Sequence, residues 1–195
     1  MTGFHGLLLA AGAGSRFGGR KLLAPWRGEP LICATARRVL AAPLDAVVCV
    51  TGCDAPEVEA ALRGLSDRRP CIVRAPDWAL GLSASLRRGI MALPPDSLGA
   101  VVFLGDMPRV PAGAAARLVA ALSGGAPAAE LVHAGHPANP VAFSAALFPA
   151  LMALRGDAGG RRILQGRAEV VRLETDDPGA VFDIDRVEDL DPLSR

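Results

Sequence analysis

Leu7-Leu-Leu-Ala-Ala-Gly-Ala-Gly-Ser-Arg-Phe-Gly-Gly-Arg-Lys21 decides how the chain is read. Three leucines and two alanines make a short apolar run suited to a buried strand, and the glycines behind it let a backbone approach a ligand closely. Gly12, Gly14, Gly18 and Gly19 expose main-chain N–H groups, and Arg16 and Lys21 add cations, a combination that cradles a polyphosphate. The competing reading is a plain turn, which glycine also permits. Two familiar glycine loops do not fit. The dinucleotide fingerprint needs glycine where Phe17 stands, and the second strand runs into Thr51 and Gly52 instead of an acidic residue for a ribose. The P-loop needs lysine and a hydroxyl after its last glycine, whereas Gly19 is followed by Arg20, Lys21 and Leu22.

The 195 residues, 51% hydrophobic and 21% charged, predict one compact domain over 1–195 with a sizeable core. A formal net charge of +1, without basic or acidic blocks, points away from nucleic acid and membrane surfaces as partners. Cys33, Cys49, Cys53 and Cys71 form no C-x-x-C pair and are expected to be buried, reduced thiols. No apolar run is long enough to span a bilayer and no signal-peptide pattern opens the chain, so a cytoplasmic location is expected.

After the loop, Pro25 to Pro30 reads as a turn, Leu31 to Leu40 as a helix and Ala46 to Val50 as a strand, which together make a βαβ unit. A helix over Asp54 to Leu62 and a strand over Cys71 to Arg74 follow. Gly81, Ser83 and Ser85 then open a helix from about Ala84, where free N–H groups and hydroxyls meet a base edge or a phosphate, or where serine merely caps. Ala100 to Leu104 is the clearest buried strand, and Asp106 follows it behind Gly105. Open α/β sheets bind ligands at that rim, which puts Asp106 on the side of the Gly12 to Lys21 loop. It suits Mg²⁺, which takes one or two carboxylates plus substrate phosphates, although an Asp after a strand also serves in turns.

Farther on, Pro111 to Leu122 is read as a helix, and Glu130 to His133 and Pro140 to Phe143 as strands joined by a polar insertion carrying His136 and Asn139. Ala145 to Leu154 is read as a helix, and Asp157, Arg161 and Arg162 lie on a turn into another, where they bind a second substrate or decorate the helix end. Glu169 to Leu173 is a late strand. Asp183 and Asp185 point the same way from an extended segment, and one of them completes a metal site with Asp106 or Asp185 caps a helix starting near Val187.

Five blocks in order, Leu9 to Lys21, Gly81-Leu-Ser-Ala-Ser-Leu86, Gly105-Asp-Met-Pro108, Gly156-Asp-Ala-Gly-Gly-Arg161 and Asp183-Ile-Asp185, make nearly the whole chain resemble the MobA-like nucleotidyltransferases, most closely the molybdenum cofactor cytidylyltransferases. The resemblance implies an α/β fold, a Rossmann-like nucleotidyltransferase domain with a mostly parallel sheet and helices on both faces. It implies transfer of CMP from CTP to the terminal phosphate of molybdenum-loaded molybdopterin, with Mg²⁺ and release of pyrophosphate. Arg16, Lys21 and Asp106 are then catalytic, and Leu9, Ala10, Ala11, Gly12, Gly14, Arg16, Lys21, Gly81, Ser83 and Ser85 bind the nucleotide. Asp106 and Asp185 hold metal, and His136, Asn139, Asp157 and Arg161 contact the acceptor. Ala10-Ala11 is similar to members using CTP, whereas those using GTP have Ala-Gly at this point. Ala138-Asn139-Pro140-Val141 departs from the Gly-His-Pro-Val of many cytidylyltransferases, with a histidine displaced to His136. A client molybdoenzyme is an implied transient partner. The alternatives are another phosphorylated acceptor, use of GTP, or a non-catalytic carrier of the finished cofactor.

Overall fold

The computed structural model describes residues 3–65 and 70–190. Its elements are β1 (Phe4–Ala10), β2 (Pro25–Trp26), β3 (Glu29–Pro30), α1 (Leu31–Leu40), β4 (Val47–Thr51), α2 (Ala55–Arg63), β5 (Pro70–Arg74), α3 (Leu82–Met91), β6 (Gly99–Leu104), α4 (Ala114–Ser123), β7 (Ala128–His133), β8 (His136–Ser144), α5 (Phe148–Met152) and β9 (Val171–Glu174). Seven strands form one sheet in the order β5-β4-β1-β6-β8-β7-β9, parallel except where β8 runs against both β6 and β7. β2 and β3 pair as a separate two-stranded ribbon, where the sequence predicts only a turn.

Strand alternation divides the core into two layers. Leu8, Cys49, Val101 and Phe103 face α1, α2 and α4, while Leu7, Leu9, Val48, Val50 and Val102 face α3 and α5. β1, between β4 and β6, is buried on both faces, as the unbroken apolar run Leu7-Leu-Leu-Ala-Ala predicts for a central parallel strand. The carboxyl ends of β1 and β6 lie side by side, with Leu9 paired to Leu104, and so place the glycine loop beside Asp106.

Several expectations are corrected. The insertion over 134–139 is a continuation of the β7–β8 hairpin: Ala134 and Gly135 take positive φ (50° and 78°) at its tip, and His136 and Asn139 lie within β8. The predicted helices after Ala145 and Gly156 shorten to a 3-10 turn with the five-residue α5 and to the 3-10 turn Gly160–Leu164, which Pro149 and the neighbouring glycines help to limit. Cys53 and Cys71 are exposed; Cys33 and Cys49 are buried, and burial pushes the Cys49 thiol up to about 12. Among the described residues, no helix is long and apolar enough to cross a membrane.

One polar cluster ties α2 to the β4–β5 edge. The Glu59 carboxylate, 8% exposed, accepts from Thr51 Oγ1 (3.0 Å), Arg63 Nη2 (3.0 Å) and Arg74 Nε and Nη2 (3.0 and 2.8 Å). Burial works to raise its pKa, but Arg74, Thr51 and Arg63 outweigh that and hold it below the ordinary glutamate value. A depressed folded-state pKa stabilises the fold above the unfolded value and ceases to do so as pH falls through the folded one. Glu59→Gln is therefore expected to cost about 2 kcal/mol at neutral pH, read by urea unfolding, with the gap to wild type closing below about pH 4. A gap unchanged on acidification rules out this account.

Candidate nucleotide and metal site

The loop after β1 folds back on itself. Phe17 and Gly19 N–H both donate to Gly14 O, at 3.0 and 3.1 Å. Gly14 takes φ 61°, and a Cβ there would meet Lys21 Cβ at 2.7 Å, so glycine is what lets Lys21 lie alongside. Lys21 Nζ donates to Asp106 Oδ2 at 2.6 Å and to Asp185 Oδ1 at 3.4 Å, and Arg16 Nη1 donates to Asp185 Oδ2 at 2.9 Å. The four residues the sequence nominated for catalysis and metal binding thus form one alternating chain of charge.

Main-chain and core contacts bring the carboxylates there. Gly105 N–H donates to Leu9 O (2.9 Å) and Thr35 Oγ1 donates to Gly105 O (2.9 Å), fixing the loop behind β6 against β1 and α1. Ile184 N–H donates to Asp106 O (3.0 Å), which draws the Asp183-Ile-Asp185 segment onto the same loop. Phe182 and Ile184 bury into a small cluster with Trp26 and Leu31, leaving Asp183 and Asp185 partly exposed between them. Arg109, three residues beyond Asp106, lies over Phe182 (4.1 Å to the ring centroid) and Trp26 (5.7 Å). It clasps the segments carrying Lys21, Asp106 and Asp185. The turn at 185–186 is capped by Asp189, whose Oδ2 accepts from Asp185 and Arg186 N–H (3.0 and 2.8 Å), so the Asp185 carboxylate does not serve as the cap.

Charge balance divides the acidic pair. Burial alone would raise Asp185, but the hydrogen bond from Arg16 and the nearby Lys21 hold it below the ordinary aspartate value. Asp183 is pushed up by burial and by the neighbouring Asp106 and Asp185. Asp185 is therefore the better anion of the two, and it is the one joined to Lys21.

Two adjoining cavities are built on the glycine loop, and Lys21 and Asp106 line the smaller one. One, about 420 Å³, is lined by Leu9, Ala11, Gly12, Trp78, Gly81, Ser85 and Asp157 among others. The other, about 240 Å³, shares Leu9 and Gly12 and adds Ala10, Gly14, Lys21 and Asp106. Ser83 lines neither. It is fully buried, its N–H donates to Gly156 O (3.1 Å), and its hydroxyl accepts from Arg87 Nη1 (3.3 Å). The residues expected to meet an acceptor separate: Asn139 and Arg161 are joined by a 3.0 Å hydrogen bond, His136 is exposed near the hairpin tip, and Asp157 sits in the larger cavity. Gly81 (φ 104°) packs so closely on this last loop that a Cβ would lie 2.6 Å from Asp157 Oδ1. Thr35, Arg109 and Trp78 escaped the sequence reading. The first two act across long chain separations, and Trp78 adjoined a block read only for its glycine and serines.

The donor set fits a hard cation that also draws ligands from a nucleotide. Asp106 Oδ1 is buried and has no hydrogen-bond partner, and Asp185 lies across Lys21 from it. Among the described residues no cluster of three or more His, Cys, Asp or Glu forms a complete protein cage. Mg²⁺ commonly binds through one or two carboxylates plus substrate phosphates, a set that needs no such cage.

The chain belongs to the MobA-like NTP transferase family, whose domain model matches residues 6–173. It is 30% identical to the purine catabolism protein PucB of Bacillus subtilis (strain 168), over 97% of this chain and 95% of that one. It is 32% identical to the nicotine blue oxidoreductase of Paenarthrobacter nicotinovorans, over 95% and 93%. Among solved structures it is similar to a Mycobacterium tuberculosis Rv0371c homologue from Mycobacterium sp. strain JC1, with TM-score 0.84, 33% identity and coverage of 95% of this chain and 92% of that one. Rv0371c of Mycobacterium tuberculosis in complex with manganese superposes with TM-score 0.71 at 27% identity, covering 88% and 87%.

Arg109→Leu removes the cation from both aromatic rings while keeping an apolar stem. It is expected to lower stability by about 1 kcal/mol, read by urea unfolding. An unchanged midpoint eliminates the clasp.

Proposed function

We propose that this protein transfers CMP from CTP to the terminal phosphate of molybdenum-loaded molybdopterin, forming the cytosine dinucleotide cofactor and releasing pyrophosphate. The observation that carries the reading is the Arg16–Asp185–Lys21–Asp106 chain, whose Lys21 and Asp106 line the smaller of two adjoining cavities built on the glycine loop. The main-chain groups of the loop hold the triphosphate, and the larger cavity, with Trp78 on its wall, takes the base. An oxygen of the acceptor phosphate forms a bond to the α-phosphorus as the bond from that phosphorus to the bridging oxygen breaks, and the electron pair leaves with pyrophosphate. Two anions must meet, so the task is charge neutralisation and in-line positioning, with no covalent enzyme intermediate. Lys21 and Arg16 neutralise the departing pyrophosphate. Asp106 and Asp185 would hold a divalent cation, which supplies further neutralisation of phosphate charge when bound. The manganese bound by the Rv0371c relative supports a divalent ion here.

Ala11 supports CTP over GTP. Ala11 lines the larger cavity together with Trp78, and its methyl lies against Gly52, where an added Cβ would come within 2.7 Å of it. That methyl narrows the space for a base and favours a pyrimidine.

A second reading rests on the relative named nicotine blue oxidoreductase. On it, the cavities would take a redox substrate and no pyrophosphate would form. Pyrophosphate release separates the two.

Purified protein with molybdenum-loaded pterin, Mg²⁺ and each NTP in turn is expected to release pyrophosphate with CTP. Lys21→Ala or Asp106→Ala should lower that turnover by roughly a hundredfold or more. Near-normal release by either variant defeats the assignment, and a protein that releases no pyrophosphate with any NTP defeats the function. Ala11→Gly is expected to shift the CTP-to-GTP preference toward GTP by roughly tenfold, measured as the ratio of kcat/KM values.

A further inference from the structure

A second polar cleft lies toward the β9 edge of the sheet. It holds about 480 Å³ and is lined chiefly by Glu130, Pro137, Arg161, Arg162, Gln165 and Arg172, from β7, β8, β9 and the turn Gly160–Leu164 with its flank. None of its lining residues lines either cavity at the glycine loop.

The base of this cleft is a buried carboxylate. Glu130, 3% exposed, stands opposite Arg172 in the parallel β7–β9 register, next to the irregularity between Glu130 and Leu131 in the β7–β8 pairing. Arg172 Nε lies 3.3 Å from its Oε1 and Arg161 Nε 3.8 Å from its Oε2. A carboxylate so far out of water needs cations beside it, and these two contacts hold both guanidinium groups in place. They do not exhaust them, since each guanidinium has five N–H donors. Arg161 Nε is shielded from solvent without a hydrogen-bond partner. Arg162, exposed on the same turn, has no ion-pair partner among the described residues. The cleft therefore has more positive charge than its one carboxylate balances.

A route of contacts joins it to the nucleotide site. Arg161 Nη2 donates to Asn139 Oδ1, and Asn139 Nδ2 donates to Met107 Sδ at 3.3 Å, one residue beyond Asp106. β8 thus carries a fixed link between the arginine cleft and the Asp106 loop.

We infer that this cleft is a subsite for an oxyanion group, held by the planar guanidinium donors of Arg161, Arg162 and Arg172, with Glu130 keeping two of them preorganised. Resting on the function proposed above, it makes the acceptor a two-ended anion. Its phosphate meets the α-phosphorus beside Lys21 and Asp106 while a second oxygen-rich group is gripped near the sheet edge.

Tungstate, a tetrahedral dianion visible by anomalous scattering, tests the subsite without nucleotide, metal or pterin. Expected are anomalous density between Arg161 and Arg172 in soaked crystals and saturable binding by calorimetry. Arg161→Gln and Arg172→Gln should each weaken that binding tenfold or more. Arg172→Lys should fall between, and Arg38→Gln, which removes the same charge on α1, should leave it unchanged. Thermal melts identify any variant that fails to fold, in which case Arg172→Lys and the crystal density decide. No tungstate in the cleft, or binding indifferent to both Gln variants, overturns the inference. Tungstate binding without CTP-dependent pyrophosphate release leaves the subsite standing and removes the function; the reverse pair of results does the opposite.

Discussion

Lys21 is held between two carboxylates that come from opposite ends of the second half of the chain, and the site is organised by that ammonium. Asp106 and Asp185 lie 85 and 164 residues away from it in sequence. Two carboxylates directed into one partly buried place repel each other, and the cation between them relieves that repulsion. Asp183 shows the repulsion, since burial and its two acidic neighbours push its pKa up, while Asp185, touched by Lys21 and Arg16, goes down. The same charge that settles the carboxylates in the folded protein is what a polyphosphate would find on arrival.

Rigid surroundings make that arrangement reproducible. β1 and β6 are central strands buried on both faces, and the loops that leave their carboxyl ends inherit the register Leu9 to Leu104. Thr35, fully buried on α1, spends its hydroxyl on Leu31 O and Gly105 O. Trp26, Phe182 and Arg109 then close the late segment over the earlier two. The Thr35–Gly105 bond and the Trp26, Phe182 and Arg109 contacts link segments that the sequence keeps far apart, so the geometry belongs to the tertiary fold and not to any one motif.

That distinction explains what could be read in advance. The apolar run Leu7 to Ala11 announced a buried strand because its environment is apolar on both sides, and Leu31 to Leu40 matched its helix end to end because spacing and boundaries agreed. Asp106 was legible from its position behind a buried strand. The extension of β8 back to His136 was not, because Ala134 occupies a left-handed turn position that its type does not advertise, and His136, Pro137 and Asn139 carry no strand pattern. The late helices are shorter than their apolar spacing predicts, because proline and glycine leave too few turns to propagate. Arg109 and Thr35 carry no local signature at all. Ser83 is a related case: a serine at a helix start can face a ligand or its own helix, and here it is fully buried with its hydroxyl accepting from Arg87.

The glycine-loop cavities and the arginine cleft are built from different materials. On the nucleotide side, main-chain groups and glycines do much of the work: Gly14 admits Lys21, and Gly81 admits the Asp157 loop, with strand ends as the support. On the far side, the cleft of Arg161, Arg162 and Arg172 is made of side chains on a 3-10 turn and on β9, which has a neighbour on only one side in the sheet. Replacing a side chain on such an edge disturbs little packing, whereas altering the glycine loop disturbs the backbone that everything else rests on. In a fold built this way the glycine loop is fixed by backbone packing, while the edge cleft would tolerate exchange of its arginines. Glu130 sets the limit on that freedom. A carboxylate buried between β8 and β9 requires cations beside it whatever the ligand, and so keeps the edge cleft a place for anions.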